Sequence, residues 1–280
     1  MKVRLRNLIK IEGLSKTFNS KRILNNINIE FEDKIYGLLG ENGAGKTTLI
    51  RCMTNIYTNY KGRIIIPNIN KEIGYLPQNF GAFKELTLKD MLLFFANQKG
   101  LAIKKADEEI QNLIELVNLS DKANTKVGKL SGGMIRRLGI AQALLGDPDI
   151  VIFDEPTAGL DPEERLRFKN IIQKIKKGKT IIISTHIVED IDALCDEVVI
   201  LKKGNVIDCN NINHIKKIAC GKVYEIPENL LCKLNNQCEI VRQINKNNII
   251  YYRILTKSYD SDYLVEPTVE DGYLCSIKNI

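Results

Sequence analysis

Residues Gly40 to Thr47 read G-E-N-G-A-G-K-T. This spacing satisfies G-x-x-x-x-G-K-[ST], a loop that wraps a polyphosphate. Glycine lets the backbone turn tightly and aim successive N–H groups at one anion. Gly40, Glu41, Asn42, Gly43, Ala44, Gly45, Lys46, Thr47 and Thr48 are therefore candidate nucleotide-binding residues. Lys46 adds a point charge for the outer phosphates, and the Thr47 hydroxyl is placed to ligate magnesium. Further along, Asp154 and Glu155 follow the apolar run Ile150, Val151, Ile152, Phe153. Acids at the exit of a buried strand stand where ligands bind in open α/β sheets. Asp154 is a candidate magnesium ligand acting through water. Glu155, expected on the other side of the pleat, is a candidate to orient or deprotonate an attacking water. A third run, T-I-I-I-S-T-H from Thr180 to His186, brings an imidazole to a strand exit. There it can reach a γ-phosphate and sense its loss. His214 lies in a polar stretch and takes no role.

The elements that must position these groups are legible around them. Ile35 to Leu39 form an apolar run that suits a buried strand, and Leu49, Ile50 and Met53 carry helical spacing between Thr47 and Asn55. Strand, glycine loop and helix follow in the order that points a helix start at an anion. Ser131 can cap a helix running to about Leu145, with Gly132 and Gly133 in its first turn, which makes a second anion-binding helix start. A helical segment separates the two starts, so one chain need not bring both to one phosphate. Residues from about Ile9 to Pro77 are expected to form a β-rich part. A capping-box-like start at Thr87 opens a helical insert reaching about Gly146. Strands are expected near 150–154, 180–185 and 197–202, with a hairpin at Lys202 to Asn205. Past Asn213 come shorter strands at Val223–Ile226, Glu239–Ile244 and Asn248–Thr256, and then a short helix begun by Pro267 with acids in its first turn.

Composition narrows the class. The 280 residues suffice for one large domain or a large and a small one, and 44% hydrophobic residues supply a core. No apolar run approaches the roughly 20 residues that span a bilayer, and the basic start M-K-V-R-L-R-N lacks a secretory core, so a cytosolic placement is expected. Seven scattered cysteines without C-x-x-C pairs argue for free thiols. The net charge of +7 is spread along the chain and forms no basic stripe, so no nucleic-acid partner is expected.

Leu130 to Met134 read L-S-G-G-M, followed by Ile135, Arg136, Arg137, Leu138 and Gly139. With the loop and the two acidic or histidine-bearing strands, the chain resembles the nucleotide-binding subunit of an ATP-binding cassette (ABC) transporter. The resemblance covers about residues 3–214. It implies an α/β phosphate-loop NTPase with a mixed-sheet core, an antiparallel β-subdomain and a helical insert at about 87–146. A small α+β C-terminal appendage would occupy 215–280. It implies ATP and Mg2+ as cofactors, with Thr47, Gln78 and Asp154 at the metal and Phe18 stacked on adenine; the alternative for Phe18 is an edge aromatic. Lys46, Gln78, Glu155 and His186 take the catalytic roles. Gln78, in G-Y-L-P-Q, would link magnesium and water to the transport partner. Two subunits, alike or different, would pair head to tail, so that Ser131, Gly132 and Gly133 of one close on the ATP of the other. Gly159, Leu160 and Asp161 would cross that interface, although Asp161 before Pro162 equally suits a helix cap. Met134 stands where glutamine is most often found, which removes a side-chain hydrogen bond.

The end, E-P-T-V-E-D-G-Y-L, is similar to the tail of exporter subunits of the bacitracin-resistance and sodium-extrusion type, and is expected here to be either a packing appendage or a regulatory or dimerising one. The expected partner is a membrane-spanning permease of the ABC-2 type, and the expected place is the cytoplasmic face of the membrane. Phe80, Phe83 and Leu86 either receive a short helix of that permease or pack on the insert. The rival reading is a soluble ABC-type ATPase acting on ribosomes, which would carry two cassettes in one chain. A chromosome or repair ATPase would need a long heptad segment before L-S-G-G.

Overall fold

The structure is a computed structural model that describes residues 9–66, 73–231, 238–247, 249–257 and 262–280. Residues 3–8 of the expected cassette, Cys232 and Asn248 lie outside the described residues.

The chain opens with β1 (Ile9–Phe18) and β2 (Lys21–Phe31), whose alternating buried and solvated residues mark strands with one covered face. Next is β3 (Ile35–Leu39), buried along its whole length, and then α1 (Lys46–Met53). β4 (Lys61–Ile65) returns to pair with β1, and β5 (Gly74–Leu76) begins the far edge of a second sheet. Three helices form the insert: α2 (Leu88–Gln98), α3 (Ile103–Leu116) and α4 (Gly132–Leu144). Side-chain caps start the first and third, where Thr87 Oγ1 accepts from Asp90 N and Ser131 Oγ from Met134 N. After β6 (Ile150–Asp154), α5 (Pro162–Ile175) starts with Asp161 as its cap and Pro162 in its first turn. Asp161 thus fills the capping role weighed for it.

β7 (Thr180–Thr185), α6 (Val188–Leu194), β8 (Glu197–Lys202) and β9 (Asn205–Asn211) complete the core, the last two as a hairpin that turns at Lys202–Asn205. The remainder is α7 (Ile212–Ile218), β10 (Val223–Pro227), α8 (Glu228–Leu231), β11 (Glu239–Lys246), β12 (Ile249–Leu255) and α9 (Val269–Lys278). Thr268 caps α9 in a capping box with Asp271, so Pro267 lies just outside the helix it was expected to begin.

These strands form three sheets. The core sheet runs β5-β6-β7-β3-β8-β9, parallel throughout except for β9, which is antiparallel to β8. β3, β6 and β7 are buried on both faces, which is why they read as unbroken apolar runs. One face carries Tyr36, Leu38, Ile150, Ile152 and Ile182 against α1 and the antiparallel β2-β1-β4 sheet. On the other face Val151, Phe153, Ile181 and Ile183 pack against the insert and α5. Leu39, Val198 and Ile200 on that second face meet α6, α7 and α9 through Ile191, Ile215, Val269, Tyr273 and Ile277. The C-terminal residues therefore finish the core sheet's cover as well as forming the separate β10-β12-β11 sheet. The expected division at residue 215 falls inside α7.

The loop before α2 divides in its packing. Phe80 and Leu86 lie against the insert's core, whereas Phe83 is exposed and stacks edge-on against Phe94, with ring centroids 5.3 Å apart.

Candidate nucleotide site

The carboxyl ends of the parallel strands converge on one cavity of about 850 Å³. Phe18, Glu41, Asn42, Gly43, Gly45, Lys46, Thr47, Thr48, Gln78 and Glu155 line it, all of them expected from the sequence. Gly40 and Ala44 lie behind the loop. A Cβ on Gly40 would stand 2.5 Å from the Leu201 carbonyl, so only glycine permits β3 to leave the sheet here. The Ala44 carbonyl accepts from Gly204 N at 2.9 Å, which braces the loop on the β8–β9 turn. Gly43 and Gly45 have φ of 81° and 112°, left-handed values that a side chain would strain.

Lys46 Nζ donates to the carbonyls of Gly40 (2.6 Å) and Glu41 (3.3 Å) and lies 3.5 Å from Glu155 Oε1. A buried ammonium bonded to main-chain carbonyls of its own loop is held at the loop's mouth, ready to meet phosphate oxygens.

β7 lies between β3 and β6, so its exit sits between the loop and the acids. Asp154 is fully buried. Its Oδ1 accepts from Ser184 Oγ at 2.5 Å and from Thr47 Oγ1 at 3.3 Å, while Oδ2 has no partner. A buried carboxylate oxygen without a hydrogen bond is costly unless a cation or water meets it. Thr47 and Asp154 together offer the hard oxygen donors that Mg2+ prefers, so the residues present fit that ion.

Glu155 stands just past β6 with φ 51°, so the turn and not the pleat sets the direction of its side chain. This differs from the strand alternation expected for it. Its main-chain N–H donates to Ser184 O (3.1 Å) and Ser184 Oγ (3.0 Å). His186 Nδ1 lies 2.9 Å from Glu155 Oε2. A carboxylate only accepts, so Nδ1 is the protonated nitrogen of that pair. A carboxylate fixed between an imidazole and an ammonium, in the wall of that cavity, can take a proton from a water aligned there.

Phe18 forms part of the cavity wall, with Tyr57 edge-on at 5.2 Å and Lys16 Nζ 4.8 Å over its ring. A partly exposed ring braced in this way is available for stacking.

Ser131, Gly132 and Gly133 do not join this cavity. Gly132 and Gly133 line a second one of about 370 Å³ with Gln78, Asn79, Phe80, Ile135, Arg136, Ala158, Gly159 and Leu160. Ser131 itself is exposed at the start of α4. Gln78 is the one expected site residue that lines both cavities.

Several residues at the site were not assigned from the sequence. Ser184 carries a signal in the sequence, a hydroxyl at the exit of a buried strand. Arg136 had none, since nothing local shows that its guanidinium reaches the main chain of Pro77, Gln78 and Glu155. Burial pulls the Arg136 pKa below its usual range, and the Asp154 and Glu155 carboxylates oppose that shift. Lys21, Arg22 and Lys203 also reach the cavity wall. Burial, helped by the Glu41 carboxylate, raises the Tyr273 phenol; Tyr273 of α9 shares a core cluster with Leu39, the residue before the phosphate loop.

A cavity built from a glycine loop, a lysine and strand-exit acids on a parallel sheet defines a phosphate-loop ATPase. The chain belongs to the ABC transporter ATP-binding proteins, which hydrolyse ATP to power transport. The ABC transporter family pattern matches residues 24–158. An uncharacterised ABC transporter ATP-binding protein of Methanocaldococcus jannaschii is 37% identical over 230 residues, covering 78% of this chain and 87% of that protein. The Nod factor export ATP-binding protein I of a Rhizobium species is 37% identical over 212 residues, 70% of this chain and 68% of the relative. A solved ATP-binding subunit of an ABC transporter superposes with a TM-score of 0.67 at 26% identity, over 75% of this chain and 92% of its own. Among the described residues, no helix is long and apolar enough to cross a membrane. Six cysteines among them are free, and burial pushes the Cys52 thiol up to about 11.

Proposed function

We propose that this chain is the ATP-hydrolysing subunit of an exporter, paired with an ABC-2 type permease at the cytoplasmic face of the membrane. Two cassettes, identical or different, close head to tail on two ATP molecules. The observation that carries this reading is the separation of the two anion-binding helix starts. Gly45 and Lys46 open onto one cavity and Gly132 and Gly133 onto another, so a second chain is needed to bring both to one triphosphate. The export named for the Rhizobium relative supports the direction of transport.

In this reading Phe18 stacks on adenine, and the amides of Gly40 to Thr48 with Lys46 hold the phosphates. Thr47, Asp154 (through water) and Gln78 would hold Mg2+, which would supply positive charge to the phosphates when bound. Glu155 accepts the proton of the attacking water, held in place by His186, while Ser131, Gly132 and Gly133 of the partner neutralise the γ-phosphate. Loss of that phosphate releases the two halves. Gln78 lines both cavities and connects the two contacts. The exposed Phe83, beside Phe94, is where the permease would dock. Residues 3–214 act as the cassette, with its insert at about 87–146, and residues 215–280 as an accessory part that braces the core sheet.

Glu155→Gln tests the assignment. This variant keeps the shape of the side chain and its link to His186 but cannot take a proton. Turnover should fall by about 10²- to 10⁴-fold, ATP binding should persist, and a dimer should accumulate on gel filtration with ATP. Undiminished turnover removes Glu155 from the role. Copurification with ribosomes, and not with a multispanning membrane polypeptide, refutes the transport reading.

A further inference from the structure

We propose that Arg136 is a positioning residue for hydrolysis: from α4 it holds the main chain of Gln78 and Glu155, and so ties the helix begun by Ser131 to the hydrolytic end of its own chain's site. The inference rests on the roles proposed above for Gln78 and Glu155.

β5 and β6 are parallel neighbours whose pairing ends at Leu76 and Phe153. The carbonyls of Pro77, Gln78 and Glu155 therefore lie past the ladder. Arg136 serves all three: Nη1 donates to Gln78 O at 2.9 Å and Pro77 O at 3.3 Å, and Nη2 donates to Glu155 O at 3.0 Å. A planar guanidinium can span two chain segments at once, which a single ammonium does not. The two segments it joins carry Gln78 and Glu155, whose side chains line the phosphate cavity.

Glu155 needs the support. Its φ of 51° is a left-handed conformation that a non-glycine residue holds only where its surroundings over-determine it. Ser184 fixes its N–H from the β7 side, and Arg136 fixes its carbonyl from the α4 side. Arg136 also lines the second cavity with Gly132 and Gly133. A shift of α4, when a partner's nucleotide meets its first turn, is thereby passed through one side chain to Gln78 and Glu155. Because the link is made entirely to main-chain carbonyls, it needs no particular side chain at positions 77, 78 or 155.

The test uses the full chain with Arg136→Gln, Arg136→Lys and Arg136→Ala, each measured for ATP affinity, KM, kcat and thermal midpoint. For Arg136→Gln, kcat should fall about 10- to 100-fold, since small displacements of reacting groups cost that much. ATP affinity and KM should stay within about twofold, and the midpoint within ~2–4 °C. Lysine should recover part of the loss, and millimolar guanidinium, but not methylammonium, should raise the turnover of Arg136→Ala. A kcat within twofold of the parent overturns the proposal. So does a loss of kcat that tracks equal losses of ATP affinity and midpoint with no response to guanidinium, because that is a folding defect. A parent chain without ATPase activity while its ATP binding is intact would sink the hydrolytic reading itself, and this inference with it.

Discussion

Replacing Ser184 with alanine should remove one hydroxyl and expose how the buried acid is held. Ser184 Oγ donates to Asp154 Oδ1 at 2.5 Å, and Asp154 is fully buried with Oδ2 unpartnered. After the change, the carboxylate keeps only the longer bond from Thr47 Oγ1 at 3.3 Å. A hydrogen bond to a charged group contributes about 1.5–3 kcal/mol, and a buried acceptor left bare loses it in full. The Glu155 N–H still reaches the main-chain oxygen of residue 184 at 3.1 Å, so the penalty runs mostly through Asp154. Stability without nucleotide should therefore drop by about 1.5–3 kcal/mol, or about 3–12 °C in midpoint at roughly 2–4 °C per kcal/mol. Urea unfolding in EDTA measures it. The same substitution in an Asp154→Asn background isolates the charge: there only a neutral hydrogen bond is lost, about 1 kcal/mol or less. An equal penalty in both backgrounds, or one below about 0.5 kcal/mol in the parent, would refute the claim that Ser184 acts by satisfying Asp154.

Three further outcomes are expected. Phe18→Ala should raise the KM for ATP about 3- to 10-fold with little change in kcat, matching the 0.5–1.5 kcal/mol of an aromatic contact, while Phe18→Tyr should not; steady-state kinetics decides it, and an unchanged KM removes the ring from adenine binding. Gly40→Ala puts a Cβ 2.5 Å from the Leu201 carbonyl, so it should cost about 1–3 kcal/mol and weaken ATP binding as the Lys46 acceptor shifts. Full stability and affinity in that variant would show that the loop tolerates the side chain. Asp271, fully buried, is pushed up by burial, but the hydrogen bonds from Arg253 and Thr268 outweigh this and hold its carboxyl below the ordinary 3.8. A folded-state pKa below the unfolded one contributes stability above the unfolded value and loses it as pH falls through the folded one. Asp271→Asn should thus cost about 3–5 kcal/mol near pH 7 and progressively less below about pH 4. Urea midpoints across that range would sink the reasoning if the difference stayed constant.

Much of the site is local in the chain, and local chemistry is legible. The turn from Gly40 to Thr47, the caps at Thr87, Ser131 and Asp161, and the buried strands at 150–154, 180–185 and 197–202 all stand where residue type and spacing put them. Each is set by backbone geometry over a few residues: a missing Cβ, an oxygen at a helix start, an apolar run that only a doubly covered strand accommodates. Glu155 marks the limit of such reasoning. Alternation along a strand predicted its side, but β6 ends one residue earlier and a left-handed turn sets its direction.

What the linear order does not contain is which strand lies beside which. The order β6-β7-β3 places Ser184 between Asp154 and the phosphate loop, although 30 residues separate it from that acid. Arg136 meets Gln78 from 58 residues away and Glu155 from 19. Val269, Tyr273 and Ile277 cover Leu39 and Ile200, which makes the last helix part of the core that supports the loop. The phosphate loop, the acids and the separate helix start at Ser131 follow from neighbours in the chain, so they can be read along it. What holds them comes from the folded chain, because the partners of a buried carboxylate or a strained carbonyl are chosen by packing of distant segments against one another.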